Sequence, residues 1–189
     1  RVRGNDPWPR NTISKEGQHS SDVITEISLQ WLKGGWDRER PFFLMHHYKA
    51  PHDMFQNARR YDSYLEDVTI PEPDNLRDQP AEGFGSVASR GFGSGLAKGH
   101  ESWQLGRRLG IDQSLNDPQY TKLVYQKYLK RYLRCVKGVD DNVGRLINFL
   151  REAGELDNTV IIYTGDQGFF LGEHDLMDKR WMYEEAMRM

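Results

Sequence analysis

A short polar turn near the C-terminal end of this sequence carries residues that could bind a metal ion. Residues 159–163 are β-branched and aromatic, which is the composition of a buried strand. Asp166 and Gln167 follow between Gly165 and Gly168, two glycines that allow a sharp turn. Carboxylate and amide oxygens are ligands that Ca²⁺ or Mg²⁺ prefers. For an Asp-Gln pair alone, a polar turn that caps the next element is the simpler interpretation.

A second polar cluster, HHYKAPH at residues 46–52, follows another apolar run, residues 42–45. Its three histidines raise the question of zinc, but they lack the four-residue helical spacing and no cysteine accompanies them. Histidines that simply pack a loop are the structural alternative. The run at residues 42–45 is too short and too uniformly apolar for a surface strand, so it predicts a central parallel strand.

Composition limits the classes of function. The chain has 189 residues, 37% of them hydrophobic, which is enough for one ordinary core in a single domain. A net charge of -2 provides no general attraction to nucleic acid or anionic lipid, and no apolar run is long enough to span a membrane. The single cysteine excludes a disulfide within the chain.

Two helices can be predicted from capping residues and apolar periodicity. Ser20 or Ser21 is a suitable N-cap for a helix over residues 22–33, which Gly34 and Gly35 would end. One apolar stripe is expected on this helix, formed by Val23, Ile24, Ile27 and Trp31.

The second predicted helix is long. It opens with Asp117 as N-cap and Pro118 at the first helical position, and it closes before Gly154. Apolar residues recur at three- and four-residue steps, at Leu129, Tyr132, Leu133, Val136, Val139, Val143, Leu146, Ile147 and Leu150. A basic, solvated face is expected opposite, formed by Lys122, Lys127, Lys130, Arg131, Arg134 and Lys137.

The order of these elements predicts an α/β fold. A strand, a long crossover with a helix and a second strand form a right-handed βαβ unit, which would bring the loops after Met45 and Tyr163 to one edge of the sheet. Residues 53–117 between them predict a long irregular loop region, with an extended stretch at residues 68–73. Scattered cations there could contact acidic glycans: Arg77, Arg90, Lys98, Arg107 and Arg108.

The stretch YTGDQGFFLGEH at residues 163–174, continuing into DKRWMYEE at residues 178–185, resembles the sulfatases of the alkaline-phosphatase-like superfamily. It is most similar to the branch of the N-acetylglucosamine-6-sulfatase type. The resemblance is strongest over residues 120–185, clear over residues 20–52 and weak between residues 53 and 117. It implies an alkaline-phosphatase-like sandwich, with a mostly parallel or mixed central sheet flanked by helices.

This resemblance also implies roles for individual residues. Asp166 and Gln167 become two ligands of one Ca²⁺, with Mg²⁺ as the alternative ion. Lys179 becomes the lysine that binds the sulfate group, and His52 a sulfate contact and leaving-group acid, because a Pro-His pair carries that histidine in the family. Lys49 is a second candidate cation for the substrate. His174 is expected near the mouth of the pocket, without an assigned role.

Some family features have no counterpart in the sequence. Sulfatases use a formylglycine made from the Cys or Ser of a Cys/Ser-x-Pro-x-Arg signature, and Cys135 lacks that context, so we expect it to be a buried helix residue. Asp140 and Asp141 also match a family pattern and are expected to be structural. We therefore expect residues 1–189 to be an internal part of one catalytic domain, with the formylglycine and further metal ligands in a preceding segment, and to be inactive alone.

The function that the resemblance implies is hydrolysis of sulfate esters on a carbohydrate, such as a glycosaminoglycan or a mucin-type glycan. A phosphate-ester hydrolase of the same superfamily and a non-catalytic glycan-binding relative are the alternatives. The resemblance to this family also implies a periplasmic or secreted protein. The sugar, the sulfate position and the oligomeric state stay open.

Overall fold

The computed structural model describes residues 17–53, 55–77, 95–101 and 104–189. These residues divide between two compact units, Arg1–Glu66 with Arg131–Ile161 (unit one) and Asp67–Lys130 with Ile162–Met189 (unit two), and each is described by itself. Within the described ranges, no helix combines the length and the apolar character that crossing a bilayer requires. Arg90 lies outside them, as does most of the N-terminal loop.

Helix α1 of unit one, Ser20–Gly34, confirms the first predicted helix, and Gly35 is its C-cap. The predicted N-cap is wrong by one or two residues. His19 caps the helix instead, because its Nδ1 accepts a hydrogen bond from the Ser21 N–H at 3.3 Å. The side chain of Ser21 is buried and its hydroxyl forms no capping hydrogen bond. A histidine is not among the usual N-cap residues, so this cap had no sequence signal.

The buried face of α1 also differs from the predicted stripe. Ile27 and Trp31 are 41% and 37% exposed, whereas Thr25 and Ser28 are buried. These two hydroxyls lie 2.8 Å from Tyr48 Oη and His46 Nδ1, respectively. The helix thus packs partly through side-chain hydrogen bonds, which an apolar periodicity does not detect. Its remaining buried apolar contacts come from Val23, Leu29 and Leu32.

The long predicted helix is confirmed as α3, Gln119–Glu152; a single helical turn, α2, Leu105–Arg108, precedes it in unit two. Helix α3 begins at Gln119, one residue after the predicted first position Pro118, and the Asp117 carboxylate accepts a hydrogen bond from the Thr121 N–H of its first turn at 3.2 Å. Gly154 follows the helix with φ 75°, which is the left-handed conformation expected after a helix end.

Charged residues of α3 pair within unit one. Lys137 Nζ lies 2.6 Å from Asp141 and 3.2 Å from Asp140, so the predicted structural role of these aspartates is confirmed. The solvated basic face is only partly correct. The Arg134 side chain is 14% exposed, donates to the Tyr64 carbonyl and pairs with Glu66.

The two segments predicted as buried strands are not paired strands in the structure. Over residues 41–50 the backbone is unpaired and burial alternates residue by residue, so that Phe43 and Met45 are 86% and 66% exposed. Val160 and Ile162 in the second segment are also exposed. A strand of a parallel sheet is buried because neighbours cover it, and the described residues place no strand beside either segment. The predicted βαβ unit is therefore absent from the described part of the chain.

Aromatic rings pack around the beginning of the first extended segment. Phe42 lies edge-on to Trp36 at 4.7 Å and to Trp31 at 6.1 Å between ring centroids. Trp36 Nε1 donates to the Arg40 carbonyl at 2.8 Å, and the Arg38 guanidinium lies 4.5 Å from the centre of the Trp36 ring. This group joins the end of α1 to residues 41–50.

The sheet of the described residues is a short antiparallel hairpin in unit two. Strand β1, Phe170–Leu171, pairs with β2, Met177–Asp178, with Phe170 opposite Asp178. Phe170 and Leu176 are fully buried and pack with Ala186 of helix α4, Glu184–Met187. The Tyr128 hydroxyl of α3 donates to the Phe170 carbonyl at 3.0 Å, which holds the hairpin against α3. The structure is thus of mixed helix and sheet.

The irregular region of unit two is held by specific contacts. Gln126 of α3 exchanges two hydrogen bonds with the backbone of Ile70, at 2.7 and 3.0 Å. Lys98 Nζ donates to the carbonyls of Gln113 and Leu115, both at 2.8 Å. The Lys98 ammonium group thus connects residues 95–101 to the backbone before α3. Arg77 is likewise paired, with Glu72.

Candidate active site

Two of the predicted site residues share a cavity in unit one. Lys49 and His52 lie along the wall of a space of about 150 Å³, and the remaining lining comes from Gln18, His19, Ser20, Ala50, Gln56 and Cys135. His19 closes one side, since its Nε2 lies 2.7 Å from the Gln56 carbonyl. The cavity therefore combines an ammonium group with two imidazoles, a set that suits an anion.

Asp53 orients both predicted residues. Its carboxylate lies 2.7 Å from His52 Nδ1, and its carbonyl accepts a hydrogen bond from Lys49 Nζ at 2.7 Å. With Nδ1 directed at Asp53, Nε2 is the ring nitrogen that remains for a substrate. Sequence reasoning missed Asp53, although an acid directly after a candidate histidine was a visible signal.

Cys135, which lines this cavity, and His46 of unit one are held in the protein interior or by packing contacts. Cys135 is 2% exposed, and burial raises the pKa of its thiol to about 11. The thiol is thus protonated at neutral pH, in agreement with the prediction that Cys135 is a buried helix residue. Burial and the neighbouring His47 lower the pKa of His46, whose Nδ1 contacts Ser28. His46 is therefore a packing histidine, whereas the side chain of His52 is half exposed.

In unit two, Asp166 and Gln167 lie in an exposed loop directly before the hairpin. The next residue, Gly168, passes close to the backbone of α4: a Cβ atom there would lie 2.6 Å from the Arg188 carbonyl oxygen and closer still to that of Glu185. Only glycine allows this approach. The loop therefore presents two oxygen-bearing side chains to solvent while its end is held against α4.

Lys179 follows β2, and the register of the hairpin places it beside Phe169. Phe170 pairs with Asp178, so the next positions outward are Phe169 and Lys179, and Lys179 Nζ lies 5.9 Å from the centre of the Phe169 ring. Asp166 and Gln167 are only a few residues before Phe169. The antiparallel pairing thus brings the predicted metal-binding loop and the predicted sulfate-binding lysine to the same open end of the hairpin.

His174 lies at the opposite, closed end of the hairpin. Its backbone has φ 56°, its Nε2 is 3.2 Å from Asn75 Nδ2 and 3.7 Å from Glu185 Oε1, and its ring packs on Tyr183 at 4.9 Å. A histidine surrounded by these groups packs the turn. These contacts hold the His174 ring at the turn, and its place near a substrate stays a prediction.

This chain is similar to a known protein family and to several of its characterised members. The sulfatase family model matches residues 3–189. The chain belongs to the sulfatase family. An N-acetylglucosamine-6-O-sulfatase of Bacteroides thetaiotaomicron is 35% identical over 97% of this chain and 39% of its own length. A multifunctional alkaline phosphatase superfamily protein of Trinickia caryophylli is 29% identical over 94% of this chain and 32% of that protein.

A solved structure extends the likeness to three dimensions. It is a protein in complex with its substrate D-glucosamine-2-N,6-O-disulfate, with a TM-score of 0.73, 31% identity, and coverage of 90% of this chain and 42% of the other. Our chain thus spans about two fifths of the length of the protein in that solved structure and of the Bacteroides relative. The coarse α/β fold class agrees with this neighbour.

The side chains of the described residues show how much of a metal site this chain could provide. No group of three or more His, Cys, Asp or Glu side chains gathers in the part of the chain that the structure describes. Asp166 and Gln167 offer oxygen ligands of the right chemistry, but Ca²⁺ takes about six to eight oxygens. These two residues could provide part of the coordination sphere of a calcium ion but are too few to bind one alone.

Proposed function

We propose that this chain is an internal part of the catalytic domain of a carbohydrate sulfatase, which hydrolyses a sulfate ester on an amino sugar. The observation that carries the proposal is the hairpin, whose register brings Lys179 to the end that also carries Asp166 and Gln167. The name of the Bacteroides relative and the ligand of the solved structure support a 6-O-sulfated glucosamine as the substrate class.

In this proposal Lys179 holds the sulfate oxygens through its ammonium group. That charge counters the negative charge that develops on the sulfate oxygens in the transition state. The Phe169 ring beside it limits the positions that the flexible side chain can take. Lys49 adds a second positive charge near His52.

His52 is proposed to donate a proton to the leaving sugar oxygen. Asp53 holds Nδ1, so the proton would leave from Nε2. This assignment explains why an exposed acid follows the histidine directly. His52 and Lys49 belong to unit one, and Lys179 belongs to unit two.

Asp166 and Gln167 are proposed to contribute two oxygen ligands to a Ca²⁺ ion, and the remaining ligands and the formylglycine would come from other parts of the protein. The ion would supply positive charge next to the sulfate ester. A central sheet of the alkaline-phosphatase-like type, which would include residues 42–45 and 159–163, is the fold that this proposal implies. We also propose a periplasmic or secreted location, because polymeric sulfated glycans occur there.

Sulfate release from N-acetylglucosamine 6-sulfate by the complete gene product tests the proposal. Lys179→Ala should lower kcat/KM about 100-fold or more, because a charge that contacts the transition state is lost. Lys122→Ala, which removes an exposed lysine elsewhere in unit two, should leave it unchanged.

Two other results would redirect the assignment. Hydrolysis of a phosphate ester in preference to the sulfate ester would favour the superfamily alternative, to which the name of the Trinickia relative also points. Saturable binding of the sulfated sugar without any release of sulfate would favour a glycan-binding protein.

A further inference from the structure

Asp175 is a buried carboxylate that holds two segments of unit two together. It is 2% exposed, and its Oδ1 accepts hydrogen bonds from the N–H groups of Leu96 and Ala97 at 2.9 and 2.8 Å. Its Oδ2 lies 2.9 Å from His100 Nδ1. A buried carboxylate is costly unless such partners satisfy it. Removing it would leave the Ala97 N–H without this acceptor, whereas the Leu96 N–H would keep the Asp175 backbone carbonyl at 3.1 Å.

The segment that Asp175 binds, residues 95–101, fits closely around it. A Cβ atom on Gly95 would lie 2.5 Å from Asp175 Oδ2 and 2.5 Å from His100 Cβ, so only glycine allows the contact. Gly95 also forms an antiparallel bridge with Leu176, next to Asp175. The segment thus lies along the closed end of the hairpin.

The hairpin turn needs such support because its backbone is strained. Within the turn, His174 and Asp175 have φ values of 56° and 59°, and Asp178 at the end of β2 has a φ of 71°, a left-handed conformation that non-glycine residues rarely adopt. Such a conformation persists where the surrounding contacts enforce it. The hydrogen bonds of Asp175 connect the turn to residues 95–101 and so enforce it.

We infer that Asp175 is a positioning residue for Lys179. Strand β2 runs from this turn directly to Lys179, so the direction of the strand and the place of the lysine depend on the conformation of the turn. The inference rests on the proposed sulfate-binding role of Lys179. In this inference Asp175 does not contact the substrate itself, but its loss displaces Lys179, which does.

Kinetics of the complete gene product test this inference. Asp175→Ala should lower kcat/KM for the sulfated sugar about tenfold or more, measured per folded molecule, because small displacements of a charged contact are costly. Asp175→Asn keeps Oδ1 as an acceptor for Leu96 and Ala97 and should restore activity to within about threefold of the wild type. The control is Asp22→Ala, which breaks a structural ion pair in unit one and should leave kcat/KM per folded molecule unchanged.

A second measurement separates failure of this inference from failure of the proposed function. Amide hydrogen exchange should show faster exchange at Leu96, Ala97 and residues 177–179 in Asp175→Ala, and wild-type exchange in Asp175→Asn. If the wild type releases no sulfate, the proposed function fails and exchange alone decides the positioning role. Unchanged exchange at residues 177–179, an unchanged kcat/KM in Asp175→Ala, or an equal loss in both variants would overturn the inference.

Discussion

Two acidic residues of one short stretch, Asp166 and Asp175, lie in opposite environments. Asp175 is buried, accepts hydrogen bonds from two backbone amides and approaches a histidine. Asp166 lies in an exposed loop. A carboxylate whose oxygens are already bound to the protein supports the fold, whereas one that faces solvent can bind an ion.

The same contrast holds in unit one. Asp22 pairs with both terminal nitrogens of Arg60, at 2.6 and 2.7 Å, and accepts from Asn142 at 2.9 Å, whereas His52 and Asp53 are each about half exposed. Asp22 and Asp175 are therefore structural acids, whereas the exposed Asp53 and Asp166 are the acids that we propose for the site. The distinction predicts which substitutions change stability and which change chemistry.

The largest expected effect on stability is at Gly168, where the site loop meets α4. Gly168→Ala would force a methyl group against two backbone carbonyls that cannot turn aside. We expect a loss of about 3 kcal/mol in the free energy of unfolding, measured by urea denaturation. A variant as stable as the wild type would show that the loop is not held at this point.

The matched control is Gly144→Ala in α3. A Cβ atom at this position would meet no other atom within 4 Å, and the residue is helical. Alanine should therefore stabilise the protein by about 0.5–1 kcal/mol through its higher helix propensity.

A smaller effect separates a structural acid from a site acid. Asp22→Asn should lower the free energy of unfolding by about 1 kcal/mol, because Arg60 is half exposed, whereas Asp166→Asn should change it by less than about 0.5 kcal/mol. Urea denaturation of both variants provides the comparison. Equal effects of the two substitutions would contradict the division.

The pH dependence of stability gives an independent check on Asp22. The hydrogen bond from Arg60 lowers the pKa of Asp22 below its ordinary value of 3.8. Because the folded state then binds its proton at a lower pH than the unfolded state, the stabilisation is present above pH 3.8 and is lost as pH falls through the folded pKa. The acid-induced loss of stability should be shallower in Asp22→Asn.

The last prediction concerns the reactivity of the thiol of Cys135, which lines the cavity of Lys49 and His52. With its pKa raised to about 11 by burial, the thiol should react with a disulfide reagent at pH 8 about 100-fold more slowly than in the denatured chain. Absorbance of the released thiolate measures both rates, and denaturation in urea should expose one thiol. Equal rates would place Cys135 at an accessible surface.

Elements with local signals were predictable from sequence. The existence and approximate bounds of both long helices were predictable, and Gly35 and Gly154 follow their ends as expected, although the N-cap and the buried face of α1 were not. The family was evident from the run of residues 163–174, since a long motif carries more information than any single pair. The buried state of Cys135 and the pairing of Asp140 and Asp141 with Lys137 were also predictable.

Features that depend on distant contacts were not predictable. The two apolar runs were predicted as buried strands, but burial depends on neighbours that the run itself does not specify. The Asp175 contact joins residues that are far apart in sequence, and the left-handed turn around it has no compositional signal apart from Gly172. The packing of His174 on Tyr183 is likewise a tertiary contact that the sequence does not signal.

The aromatic group of Trp31, Trp36 and Phe42 gives the segment that leads to His52 an optical signature of its own. Rings held rigidly at 4.7 and 6.1 Å in an asymmetric setting contribute to near-ultraviolet circular dichroism, and the contribution disappears when tertiary packing loosens. The ordering of that segment can therefore be followed by spectroscopy without a label.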